Sequence, residues 1–91
     1  MIKAVVAVLM GSDSDFSVVK EGLEIFDKFG IVYEVRVLSA HRAPEALRKY
    51  VSGAPKKGIK VFIAAAGGAA HLGGVVAALT TLPVIGIPIH T

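Results

Sequence analysis

The sequence predicts an α/β domain, a three-layer αβα sandwich built on a parallel sheet. Three observations carry this expectation. Four short apolar runs rich in β-branched residues recur along the 91 residues, and helical patterns separate them. The first and third runs are continuous rather than alternating, as strands covered on both faces are. Strand followed by helix, three times over and closed by a strand, gives parallel strands joined by right-handed crossovers.

The elements follow in order. "AVVAVLM" (4–10) is the first strand. A helix is expected over 15–29, where Phe16, Val19, Leu23 and Phe26 share helical spacing and Gly30 stands as terminator. "VYEVRVL" (32–38) is the second strand. Pro44 suits a first helical position, Ala46, Leu47 and Tyr50 continue inward, and Gly53 and Pro55 are expected to end this helix early. "KVFIAAA" (60–66) is the third strand. An Ala- and Gly-rich helix runs from about His71 to Thr80, closed by Pro83, before the last strand, "PVIGIPI" (83–89). The expected strand order is 2-1-3-4, the flavodoxin-like arrangement. The first helix carries a second apolar stripe, Val18, Ile25 and Phe29, on a face the sheet should not cover. Either neighbouring loops half-bury it or another subunit meets it.

Composition narrows the class. One small domain, residues 1–91, is all this length allows. With 54% hydrophobic and 19% charged residues, it carries more apolar material than so small a fold hides by itself. Some of that surface meets a second subunit, or the chain is a piece of something larger. With no cysteine, disulfides and thiolate chemistry are excluded, which fits a reducing, cytoplasmic setting. The net charge is +3, but the ten Lys and Arg are spread from Lys3 to Lys60. That spread suits small anions and not a nucleic acid, which wants a clustered stripe. The opening apolar run, Ala4 to Met10, is too short for a signal peptide, and nothing approaches the ~20 apolar residues of a membrane span.

In a parallel sheet every strand-to-helix loop emerges at one edge, where ligands bind. Those loops are "GSDSD" (11–15), "SAHRAP" (39–44) and "GGAAH" (67–71), the most polar or glycine-rich breaks in the chain. After Gly11, the residues Ser12, Ser14 and Asp15 cap the following helix or form a lip that receives an anion. Asp15 has the chemistry to bond a sugar diol and would repel phosphate. Ser39 and Pro44 suit a helix start, but neither requires His41 and Arg42 beside them. Arginine matches phosphate through bidentate bonds, and histidine exchanges protons near neutrality. The glycines of the third loop let backbone amides approach a ligand, or simply make a tight turn. Neither GxGxxG nor GxxxxGK[ST] occurs, which argues against dinucleotide and triphosphate chemistry. His41, His71 and His90 lack close metal-ligand spacing, so no metal site is expected.

Taken together, "MGSDSD", "SAHRAP" and "AGGAAHLGG", in this order and at this separation, resemble the N(5)-carboxyaminoimidazole ribonucleotide mutases of purine biosynthesis, of the bacterial (class I) type. The likeness runs over essentially the whole chain, but members of that family are considerably longer. It implies that residues 1–91 form the N-terminal portion of the mutase fold, with a fifth strand and a C-terminal helix absent. Two positions depart from the family pattern: Ala65 stands where glycine is usual and Gly73 where proline is usual.

The resemblance implies an isomerase that moves a carboxylate within one ribonucleotide, from an exocyclic nitrogen to ring carbon 4, with no ATP, metal or organic cofactor. His41 matches the catalytic general acid and base. Arg42 and the Gly11, Ser12 and Ser14 loop match the phosphate site, and Asp15 the ribose site. Ser39, Ala40, Gly67, Gly68, Ala69, His71 and Leu72 match the wall around the base and carboxylate. The implied partners are the small-molecule ribonucleotide, further copies of the chain in a homo-octamer, and the ATP-dependent carboxylating synthetase that makes the substrate. Nucleic acid and membrane are not among them. Two alternatives compete. One is the class II carboxylase, which takes free carbon dioxide on the same fold, although "GGAAH" argues against it. The other is a phosphate-binding module without chemistry. A receiver domain also has acidic residues after its first strand, here Asp13 and Asp15, but it needs an aspartate where this chain has Ala66.

Overall fold

The computed structural model describes residues 3–67 and 71–90. Strand β1 (Val6–Met10) leads through a single 3₁₀ turn (Asp13–Asp15) into helix α1 (Phe16–Phe29). Then come β2 (Tyr33–Val37), α2 (Pro44–Lys57), β3 (Val61–Gly67), α3 (His71–Leu79) and β4 (Val84–Ile89). The four strands form one sheet in the order β2-β1-β3-β4, every neighbouring pair parallel. This is the expected flavodoxin-like architecture.

The sheet is covered unequally. Helix α1 lies on one face, where Val19 and Leu23 meet Val6, Val8, Met10 and Ala65. Helices α2 and α3 lie on the other, where Leu47, Val51, Ala54, Leu72 and Val76 meet Ala7, Leu9, Phe62 and Ala64. Central strand β1 sends alternate residues to both layers and all five are buried, which explains its unbroken apolar sequence. Each of its larger side chains contributes about 1.5–3 kcal/mol through burial. Ala65, one of the departures from the family pattern, is fully buried beneath α1, so its extra methyl is accommodated in the core.

Helix ends follow local chemistry. Gly30 takes the left-handed conformation (φ 70°) that closes α1, and Ile31 N–H then donates to Phe26 O at 2.9 Å. Three expectations need correcting. Helix α2 does not end at Gly53 and Pro55 but runs to Lys57, where Gly58 (φ 105°) stops it. Pro55 removes one hydrogen-bond donor from the last turns, but the complete burial of neighbouring Ala54 and Val51 holds the helix on. Phe16 is exposed instead of joining the core; it is the first residue of α1, and the buried row of that helix is Val19 and Leu23. Ala46 faces solvent beside Glu45, and the inward row is Leu47, Val51 and Ala54.

Because α1 is the single helix on its face among the described residues, part of the apolar surface on that side stays open. Val18, Ile25 and Phe29 are exposed as the second stripe required, Phe29 to 75%, and Ile85 of edge strand β4 is 54% exposed. Among the described residues, no helix is long and apolar enough to cross a membrane.

Candidate active site

The C-terminal ends of β1, β2 and β3 define one edge, and main-chain bonds fasten the loops to it. Gly11 N–H donates to Ala65 O at 3.1 Å, tying the first loop to β3. Leu38 N–H donates to Met10 O at 2.9 Å, tying the second loop to β1. A Cβ at Gly11 would meet Ala66 Cβ at 3.6 Å, an ordinary contact, so the space there does not itself demand glycine.

Ser12 organises the first loop. Its extended backbone makes it the cap of the 3₁₀ turn, and its Oγ accepts from Ser14 N–H at 3.3 Å and lies 3.0 Å from Ser14 Oγ. Asp15 N–H donates to Ser12 O at 3.1 Å. The amides of Ser14 and Asp15 are thus committed inside the loop. Among the described residues, those of Ser12 and Asp13 have no protein acceptor. Asp15 is buried, at 9% exposure.

Ser39 organises the second loop in the same way. Its Oγ accepts from both His41 N–H (3.2 Å) and Arg42 N–H (3.1 Å), and its carbonyl accepts from Ala43 N–H at 3.0 Å. This hydroxyl-stabilised turn delivers the chain to Pro44, the first residue of α2. In the third loop, Gly67 ends β3 and His71 begins α3, while Gly68 and Ala69 lie outside the described residues.

The first two loops, the end of β3 and the start of α3 line a cleft of about 370 Å³. Gly11, Ser12 and Asp15 line it from the first loop, Ser39, Ala40 and His41 from the second, and Gly67, His71 and Leu72 from the third. The rings of His41 and His71 meet edge-on, with centroids 5.4 Å apart and planes at 65°. An imidazole pair therefore shares the cleft with a buried carboxylate. Arg42 does not line this cleft. It lines an adjoining hollow of about 540 Å³ with Asp13, across a ridge of Gly11, Ser12 and Ser39 shared by both. Ser14 borders neither and serves the cap. Sequence reasoning missed Ala66 in the cleft wall and Asp13 in the outer hollow. Ala66 carried no signal beyond its place beside Gly67. Asp13 was visible as an acid in the first loop.

With this geometry in place, the AIR carboxylase family model matches residues 5–91. The chain belongs to the AIR carboxylase family. Among AIR carboxylase relatives, it is 60% identical over 84 residues to the N5-carboxyaminoimidazole ribonucleotide mutase of Saccharolobus solfataricus, covering 92% of this chain and 53% of that protein. It is 54% identical over 89 residues to the mutase of Pyrococcus horikoshii, covering 98% of this chain and 50% of that one. It is also 54% identical over 87 residues to the phosphoribosylaminoimidazole carboxylase of Ogataea methanolica, covering 96% of this chain and 16% of that protein. The crystal structure of a PurE2 variant from Treponema denticola superposes with a TM-score of 0.90 at 26% identity, over 99% of this chain and 57% of that one. The chain spans about half the length of the two mutases.

Proposed function

We propose that this chain carries the ribonucleotide pocket of an N(5)-carboxyaminoimidazole ribonucleotide mutase acting in purine biosynthesis. The observation that carries the reading is the convergence of His41, His71 and Asp15 on one cleft at the C-terminal sheet edge. At about 370 Å³, its volume lies within the range of small-molecule sites, roughly 300–1,000 Å³. The imidazole base of the ligand sits against the histidines, the ribose hydroxyls bond Asp15, and the 5′-phosphate reaches the outer hollow, where Arg42 and the Ser12 and Asp13 amides are available donors.

The chemistry then follows from proton balance. Protonated His41 gives its proton to the exocyclic nitrogen as the carbamate C–N bond breaks, leaving the amine and carbon dioxide. Ring carbon 4 attacks the retained carbon dioxide and forms the new C–C bond. Neutral His41 removes the proton from that carbon, restoring the aromatic ring and its own starting state, so the cycle consumes no proton. General acid–base work of this kind supplies ~10²–10⁴-fold. Holding carbon dioxide beside the ring adds a proximity term. His71 walls the cleft and limits escape. The chain acts as a homo-octamer in the cytoplasm, supplied by the ATP-dependent synthetase that makes the carbamate.

The relative from Ogataea methanolica, named as a carboxylase, supports a second reading in which the substrate is aminoimidazole ribonucleotide plus free carbon dioxide. Turnover measured with each substrate separates the two. The mutase reading expects conversion of the carbamate without added bicarbonate. Turnover that requires bicarbonate and ignores the carbamate overturns it in favour of the carboxylase.

A further inference from the structure

The outer hollow holds two opposite charges, and the reading above gives a role to only one of them, Arg42. Asp13 and Arg42 both line it and both are exposed. Among the described residues neither takes part in an ion pair. As an acid in the first turn, Asp13 suits the helix N-terminus, but its side chain is not tied down. The cap of its 3₁₀ turn is the Ser12 hydroxyl, and no side-chain hydrogen bond reaches the Asp13 carboxylate among the described residues. Asp15, by contrast, is buried and lines the inner cleft, where a sugar is the fitting ligand.

A phosphate drawn to Arg42 and to the amides of Ser12 and Asp13 therefore also meets an unneutralised carboxylate. Like charges across a solvent-open hollow repel, and salt screens the repulsion. We propose that Asp13 is a specificity-determining residue that weakens the grip on the phosphate end of the ligand. With the phosphate held loosely, a ligand must also fill the histidine cleft to bind well. Sugar phosphates and inorganic phosphate, which cannot fill it, are poor competitors, and the phosphorylated product leaves readily. The inference rests on the reading that the outer hollow receives the phosphate, and the test separates the two.

The test is calorimetric titration of the chain with ribose 5-phosphate, and with ribose as the uncharged control, at low and high salt. Asp13→Asn is expected to bind ribose 5-phosphate about three- to tenfold more tightly at low salt, with the gain shrinking as salt rises. Asp13→Ser, which removes the charge with a different short side chain, behaves like Asp13→Asn, and Asp13→Glu stays weak. Ribose binding does not change. If Arg42→Met leaves ribose 5-phosphate binding unaltered, or no variant binds it, the phosphate assignment itself is wrong. If Arg42→Met weakens binding but Asp13→Asn does not tighten it, or tightens ribose equally, the assignment stands and the role of Asp13 is overturned.

Discussion

Ser39 gathers the amides of His41 and Arg42 onto one hydroxyl oxygen, and the two side chains leave the turn for different hollows. The residue types were legible in the sequence, since neither His41 nor Arg42 is needed to start a helix. Their separation was not, because the side of a tight turn on which a residue emerges depends on bonds made by its neighbours. The departure at Gly73 is likewise settled by its neighbours. A Cβ there would stand 3.8 Å from Gly86 Cα and 3.9 Å from Ala64 Cβ, ordinary contacts. Glycine costs a helix interior about 0.8–1 kcal/mol relative to alanine. Gly73→Ala is thus expected to raise the thermal midpoint. A lower midpoint would mean that α3 needs closer approach to β4 than these distances show.

At the scale of elements, α2 is pinned to β2 by a cluster around Glu34. Tyr50 O–H donates to Glu34 Oε1 at 2.6 Å, Lys57 Nζ donates to the same oxygen at 2.9 Å, and an Arg36 guanidinium N–H donates to Oε2 at 3.3 Å. Lys57 Nζ also stands 5.0 Å from the Tyr50 ring centroid. The Tyr50 hydrogen bond, then the two cations, hold the Glu34 carboxyl below its ordinary range despite its partial burial. Burial, then the Glu34 bond, pushes the Tyr50 phenol up. For Glu34 the folded value lies below the unfolded one, so its stabilisation is complete above the unfolded value, about 4.3. It is lost as pH falls toward the folded value. Urea unfolding against pH checks this: Glu34→Gln should flatten the acid limb, and an unchanged limb would contradict it. Tyr50→Phe should cost about 1.5–3 kcal/mol at neutral pH, the worth of a hydrogen bond to a charged group. Nothing in the sequence announced this cluster, because Tyr50 and Lys57 are distant from Glu34 in the chain and meet it only once β2 and α2 are docked. Strands β1 and β3 were legible because burial on both faces leaves an unbroken apolar run. The end of α2 was not, since Pro55 signals a stop locally and the core overrides it.

At the scale of the molecule, one sheet face carries two helices and the other one. The apolar excess in the composition is the trace of that imbalance, and it surfaces as Val18, Ile25 and Phe29 on α1 with Ile85 and Ile87 on β4. Exposed apolar surface of this extent favours association. Sedimentation should show concentration-dependent self-association that Ile25→Glu with Phe29→Lys reduces while the helical signal persists. A monomer before and after substitution would remove that role from the face. The placement of three polar loops at one edge was legible for a reason on the same scale. A parallel sheet leaves its strand-to-helix connections nowhere else to go, so motifs far apart in sequence had to share one mouth.

The most direct test of the central claim is a paired measurement on His41→Asn, recording turnover of the carbamate ribonucleotide and equilibrium binding of aminoimidazole ribonucleotide. With an imidazole as the proton carrier, turnover disappears and binding persists, because the proposal assigns binding to Arg42, Asp15 and the Ser12 loop, which are untouched. Sustained turnover in that variant would show that the proton travels by another group and that the histidine cleft is not the reaction centre.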